Sequence, residues 1–303
     1  MRAALLREVD GPFEIREVPE PAADGKALVR VRAAGINFAD VLVRRGRYPQ
    51  MPELPAVLGS EIAGELEDGT RVMAITSGAG GYAEVVAVDR SQVVPLPDDA
   101  SFAEGASFLL TFLTAYIPLT RQVRVRPGST VLVYAAAGGV GSAAIQVART
   151  LGARVVAAVG SEDKLDVCRS LGAAEAYVYD ALPDELVADV IVDPVGGELF
   201  AGSFARLRPL GTVVAIGSAA GAWPEIEPAR LVGRNVGLAG FYLGRLMRLE
   251  PELVGTAVGE LLGLWETGAL KPLVGAEVAL EEIERAHELV ESRQSVGKVV
   301  LLP

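Results

Sequence analysis

The sequence predicts an α/β protein of two domains, and three observations carry that expectation: its length and apolar content, a first third rich in short strand-like runs, and a later alternation of strands with helices. The chain has 303 residues, half of them hydrophobic, which is near the upper limit for one core and favours two. Up to about Pro97, MRAALL reads as a first strand. The runs 26–33, 63–66, 71–75 and 82–88 then alternate with turn residues, as in a β-rich domain.

From Thr130 the pattern changes. TVLVYA is followed by the helix VGSAAIQVARTLG, RVVAAV by SEDKLDVCRSLG, then AYVY, then DVIVD by GELFAGSFARL, and finally TVVAIG. Apolar runs of this length between amphipathic helices suit parallel strands covered on both faces. Gly152 after Leu151 and Gly172 after Leu171 supply the left-handed residue that closes a helix. Beyond Phe241 the pattern predicts helices over 253–267 and 280–291 and a last strand over 298–302.

Composition narrows the function classes. A formal charge of -11 with no Lys/Arg block disfavours nucleic acid as a partner. The single Cys168 excludes an intrachain disulfide, so a cytoplasmic protein is expected. The uncharged stretch 128–148 contains four glycines and a change of period, which divides it into strand, turn and helix and argues against a membrane span.

The turn Ala135, Ala136, Ala137, Gly138, Gly139, Val140, Gly141 lies between an apolar strand and an amphipathic helix. A dinucleotide pyrophosphate requires such a place: a tight turn without side chains in its way, backbone N–H donors, and the positive end of a helix. Gly138 permits close backbone approach and Gly141 close helix-on-strand packing. Ala136 stands where the usual fingerprint has its first glycine.

The cofactor follows from the end of the next strand, about 20 residues on, where an acidic residue selects the unphosphorylated ribose. Here the strand ends in Gly160 and Ser161, with Lys164 one turn further. That leaves room and charge for a 2′-phosphate and favours NADPH. The alternative assigns Ser161 to helix N-capping and Lys164 to the solvated face.

AAAGGVG, together with AAGINFADVLVRRGRYP, LGSEIAGE and ESRQSVGKVVLLP, resembles the zinc-free quinone oxidoreductases of the medium-chain dehydrogenase/reductase superfamily along essentially the whole chain. The resemblance implies a GroES-like β-rich catalytic domain, residues 1–112 and 246–303, around a Rossmann doubly wound parallel-sheet domain, residues 113–245. Zinc-dependent relatives begin the AAGINFAD segment with a Cys ligand and carry His in G-H-E. Here Gly35, Ile36 and Asn37 include no Cys, and Ser60 stands in the His position. Zinc normally takes three protein ligands drawn from His, Cys and acids, which Cys168 and the distant His287 cannot supply, so no metal is expected.

Carried over residue by residue, the resemblance places Asn37 and Phe38 on the nicotinamide side of the cleft and Thr114 beside the nicotinamide. Tyr179 falls beside the adenine ribose phosphate, and Arg293 matches a tail arginine that reaches the cofactor. Val195, Ile216, Gly217, Ser218, Phe241 and Tyr242 line the ribose and nicotinamide regions. Read without it, Thr114 and Phe241 are packing residues, Tyr179 a half-buried strand residue and Arg293 a surface charge. Leu42 departs from the aromatic residue common at its position in the family.

Hydride transfer leaves the hard chemistry to the cofactor, so few obligatory catalytic residues are expected. Asn37 and Tyr48 are the candidates for contact with an acceptor oxygen. Asp40 reads as a structural cap, and His287 as an exposed helix residue. The expected activity is zinc-independent hydride transfer from NADPH to a quinone or similar conjugated carbonyl compound. An enone, alkenal or enoyl-thioester reductase is the alternative, and a non-catalytic NADPH-binding redox sensor or structural protein the alternative of another class. The family implies a homodimer.

Overall fold

The computed structural model describes residues 1–76 and 78–303. It forms two compact units, Met1–Leu110 with Pro272–Pro303, and Thr111–Lys271. The expected second boundary at 245/246 falls instead after Lys271, and side chains explain the difference. Gln146 donates to the Lys271 carbonyl at 2.9 Å and accepts from its amide at 2.8 Å, and Arg149 donates to the Ala269 carbonyl. These bonds tie the segment before Pro272 to the second unit.

The first unit begins with β1 (Arg2–Leu6), β2 (Phe13–Glu17), β3 (Ala27–Ile36), α1 (Phe38–Arg44), β4 (Ala56–Val57), β5 (Glu61–Glu65), β6 (Arg71–Ile75), β7 (Val85–Val88), β8 (Val93–Pro95) and α2 (Phe102–Gly105). α3 (Leu109–Ile117) leads into the second unit. There β9 (Thr130–Tyr134), α4 (Gly139–Thr150), β10 (Arg154–Val159), α5 (Leu165–Ser170), β11 (Glu175–Val178), β12 (Ala188–Asp193), α6 (Gly197–Ser203), β13 (Leu207–Ala215), α7 (Pro228–Arg234), β14 (Gly237–Gly240), α8 (Leu243–Leu249) and α9 (Pro251–Glu266) follow. β15 (Val274–Ala279), α10 (Ile283–Glu291) and β16 (Lys298–Leu302) return the chain to the first unit.

In the first unit β3 is the long central strand. Its amino half alternates buried and exposed residues, while residues 33–36 are buried throughout. It pairs with β7 along the first half and with β5 and β16 along the second, inside the order β15-β16-β3-β5-β6-β8. β2-β1-β4 form a smaller antiparallel sheet. The run 82–88 becomes a strand only from Val85, since residues 82–84 bridge to β1, with Ala83 opposite Ala3, before the chain pairs with β3.

The second unit holds a parallel sheet in the order β11-β10-β9-β12-β13-β14. Every residue of β9, TVLVY, is buried, as a central strand covered on both faces requires. Gly152 and Gly172 close their helices at φ 76° and 105°, as the sequence predicts. The stretch 128–148 resolves into strand, turn and α4. The helical run Phe102–Gln122 is long and apolar enough for a bilayer, yet it is mostly buried within the protein, as a core helix is.

His287 corrects an expectation. It is fully buried, because α10 turns Ile283, Ala286 and His287 inward at helical spacing. There its ring packs against Phe13 at 4.8 Å and edge-on to Tyr82 at 5.8 Å.

Candidate functional site

Apart from Thr114, the residues of the second unit predicted for the cofactor share one edge of the parallel sheet. Ala136, Gly138, Gly139, Val140 and Gly141 follow β9, and Ser161 and Lys164 follow β10. Tyr179 follows β11 and Val195 follows β12. Ile216, Gly217 and Ser218 follow β13, while Phe241 and Tyr242 follow β14. The carboxyl edge of an open parallel sheet is where ligands bind, at the point where strand order reverses. Here that point lies between β9 and β12, the strands whose crossovers run outward to β10 and β13 respectively.

The turn after β9 fits an anion. Gly138 is the N-cap residue of α4, and no side chain caps this helix end, so its first amides are available to a phosphate. A Cβ on Gly141 would stand 2.2 Å from the Ala135 carbonyl oxygen, so only glycine allows α4 this close to the turn. Ala136 is fully buried in the place of a first glycine.

At the end of β10, Ser161 has extended backbone and its side chain makes no capping hydrogen bond, so the N-capping alternative is not realised. Lys164 ends a single turn of 3-10 helix, Glu162–Lys164, rather than lying one turn into α5. Glu162 and Asp163 are exposed.

Tyr179 is half-buried, with its hydroxyl accepting from the Ala135 amide at 3.1 Å. Val195 is buried and donates its amide to Asp193 at 2.6 Å. Ile216, Gly217, Ser218, Phe241 and Tyr242 are half-buried. Phe241 extends the β14 edge by donating its amide to the Ala215 carbonyl. Thr114 is buried on α3.

Asn37, Phe38, Tyr48 and Arg293 belong to the first unit. Phe38 and Tyr48 are half-buried, and Tyr48 packs on that unit's core. Arg293 is exposed in the turn after α10, at φ 60°. Asn37 is buried at the junction of β3 and α1. Its carbonyl oxygen accepts from the Lys298 ammonium at 2.7 Å, and its amide nitrogen lies 3.3 Å from the Gly35 carbonyl oxygen. An ammonium can only donate, so Lys298 fixes which way round the Asn37 amide stands.

Sequence reasoning missed the group around Asn37. Lys298, 2.9 Å from Glu61, sits with it inside the unit, and the other Glu61 oxygen accepts from the Leu110 amide. Burial raises the Glu61 carboxyl above its ordinary range, opposed by the Lys298 charge and the Leu110 amide. The signal was a charge opening each of two strands that continue apolar, Glu61 before Ile62, Ala63 and Gly64, and Lys298 before VVLL. Asp40 takes the structural role expected of it. It accepts from the Asn37 backbone N–H at 2.8 Å, from the Ser60 hydroxyl at 2.7 Å and from the Tyr82 hydroxyl at 3.1 Å. Burial raises its carboxyl too, against those three bonds and the Lys298 charge.

Asp193 was also missed as more than a strand end. One carboxylate oxygen accepts the amides of Val195 and Gly196, and the other is buried without a hydrogen-bond partner. Burial holds this carboxyl above its ordinary range, opposed by the two amides.

A zinc ion does not suit this donor set. Ser60 directs its hydroxyl proton to Asp40, and Cys168 and His287 are buried in different units. Among the described residues no group of three or more His, Cys, Asp or Glu side chains is placed to hold a metal.

Comparison with known proteins agrees with both units. The profile of the alcohol dehydrogenase GroES-like domain matches residues 23–98, and that of the zinc-binding dehydrogenase family matches residues 139–258. Quinone oxidoreductase-like protein 2 homolog of Nematostella vectensis is 32% identical over 99% of this chain and 88% of its own. The synaptic vesicle membrane protein VAT-1 homolog of Rattus norvegicus is 33% identical over 94% of this chain and 79% of its own. Among solved structures, the quinone oxidoreductase of Thermus thermophilus, determined also as its complex with NADPH, is 40% identical over the full length of both chains, with a TM-score of 0.94. A mycobacterial protein solved with NADPH is 32% identical over the full length of both, with a TM-score of 0.91. On sequence and structure together, this chain belongs to the quinone oxidoreductases of the medium-chain dehydrogenase/reductase superfamily.

Proposed function

We propose that the chain is an NADPH-dependent, zinc-independent oxidoreductase that reduces a quinone or a similar conjugated carbonyl compound. The observation that carries this reading is the full-length likeness to the Thermus thermophilus quinone oxidoreductase and its NADPH complex. When bound, a reduced nicotinamide supplies the hydride, and the protein's part is to bind, align and exclude water.

The uncapped amides at the start of α4 hold the pyrophosphate. Ser161 and Lys164 receive the 2′-phosphate, on a strand end that carries no acidic residue to claim the ribose hydroxyls. Ile216, Gly217, Ser218, Phe241 and Tyr242 border the ribose and nicotinamide. Asn37 and Tyr48 serve the acceptor oxygen. A reduced quinone takes its protons from solvent, so no dedicated acid is required of the protein. An enone gains from a polarising donor near its oxygen, a role for Tyr48 or Asn37.

The protein acts in the cytosol as a homodimer. The single buried Cys168 supports a reducing compartment. β14, paired on one side only, and the exposed Trp223, Val232 and Leu238 near it support pairing with a second copy. The likeness to VAT-1 homologs, whose name states no reaction, favours a second reading: NADPH binding without turnover.

The test is the loss of NADPH absorbance with simple benzoquinones and naphthoquinones and, separately, with short enones. Turnover of quinones is expected. Turnover of enones alone would move the assignment to enone reduction, and none with either group would leave the non-catalytic reading.

A further inference from the structure

The turn between β9 and α4 hinges on Ala135, a non-glycine residue held at φ 46°, a conformation that L side chains disfavour. Its carbonyl oxygen accepts from the Gly138 amide at 2.9 Å and lies 2.2 Å from where a Cβ on Gly141 would stand. The orientation of this one peptide therefore places the first turn of α4.

Its amide is held by a side chain. The last β9–β10 pair is Tyr134 with Ala158, and the Ala136 amide still donates to the Ala158 carbonyl at 3.1 Å, whereas the Ala135 N–H between them goes to a side chain. That N–H is taken by the hydroxyl of Tyr179, which stands two strands away at the end of β11. The Tyr179 ring reaches across the end of β10 at Gly160, where an added Cβ would come within 3.7 Å of it, and meets Tyr134 edge-on at 6.1 Å.

We propose that Tyr179 is a positioning residue for the pyrophosphate turn. Its hydroxyl holds the Ala135 amide, and through it the anion-facing amides of α4, whichever nicotinamide dinucleotide is bound. The assignment rests on the dinucleotide reading above, but it differs from the role that the family resemblance implies. Contact with the adenine ribose phosphate alone predicts that losing the hydroxyl harms NADPH binding and leaves NADH untouched. A brace on the shared turn predicts that both weaken.

The decisive variant is Tyr179→Phe, which keeps the ring and removes the acceptor. Dissociation constants for NADPH and NADH, measured on the full chain by nicotinamide fluorescence, should both rise by about three- to tenfold, the worth of one neutral hydrogen bond. A loss confined to NADPH, or none, overturns the proposal.

Ala135→Gly supplies a second arm, because glycine adopts this φ without a side-chain penalty. In that background Tyr179→Phe should raise either constant by less than about twofold, the brace no longer opposing a strained residue. An undiminished effect overturns the proposal. Hydrogen exchange without nucleotide separates this assignment from the cofactor reading. Tyr179→Phe should speed exchange across residues 135–139, and unchanged exchange overturns the brace even if nucleotide binding is lost. A wild-type chain that binds neither nucleotide would instead overturn the cofactor reading.

Discussion

The single histidine of the chain should stay neutral far below the pH at which histidines normally charge. Both ring nitrogens of His287 are buried without a hydrogen-bond partner, and the ring packs against Phe13 and Tyr82. Burial, reinforced by the charges of Arg44 and Arg45, pushes its pKa down to about 3, against an ordinary value of about 6.5. Because the folded value is the lower one, the unfolded chain takes up the proton first. Stability is therefore full above about pH 6.5 and declines as pH falls toward 3. One proton's difference is worth about 1.4 kcal/mol per pH unit, so moving from pH 6.5 to pH 5 should remove about 2 kcal/mol through this residue alone.

Two measurements check this reasoning. With one histidine in the sequence, its imidazole resonances are unambiguous and should not titrate between pH 8 and about pH 4.5, where an ordinary histidine would have passed its midpoint. Urea unfolding of wild type and His287→Phe at pH 7.5 and 5 should then differ. The carboxylates are common to both proteins, so the wild type should lose about 2 kcal/mol more than the variant on acidification. A native titration midpoint near 6.5, or equal losses in both proteins, would refute the argument.

Lys298→Met should destabilise the protein by about 3–5 kcal/mol, since it strands the Glu61 carboxylate inside the first unit. Adding Glu61→Gln should restore most of that loss, and equal urea midpoints for the single and double variants would contradict it. Gly141→Ala should cost about 1–3 kcal/mol and weaken NADPH binding more than tenfold, because the new Cβ would lie 2.2 Å from the Ala135 carbonyl oxygen. Wild-type binding in that variant would show that the turn tolerates a shift of α4. Lys164→Ala should weaken NADPH far more than NADH in a fluorescence titration, and equal losses would remove the phosphate role. Elemental analysis of active protein should find no stoichiometric zinc, and activity should survive a chelator; bound zinc at one per chain would overturn the metal-free reading.

Legibility in the sequence followed the range of the interaction. β6, β10 and β16 were readable to the residue, and α4 to within two residues at its ends, because apolar period and glycine stops are local. β14, GLAG, carries too little side chain to declare itself and becomes a strand by pairing with β13. The SEDK segment reads as the start of a helix, yet it forms a separate 3-10 turn ahead of α5.

The candidate site divides in the same way. The glycine turn and the missing zinc ligands are statements about which atoms are present, and the sequence alone determined them. It could not show that Lys298 meets Asn37 across 261 positions, that Tyr179 holds the Ala135 amide, or that His287 faces inward. Each of those depends on which side chains the sheets bring together and shield from water. A lone polar residue in a sequence has no partner until the fold supplies one, and burial then sets both its charge and its cost.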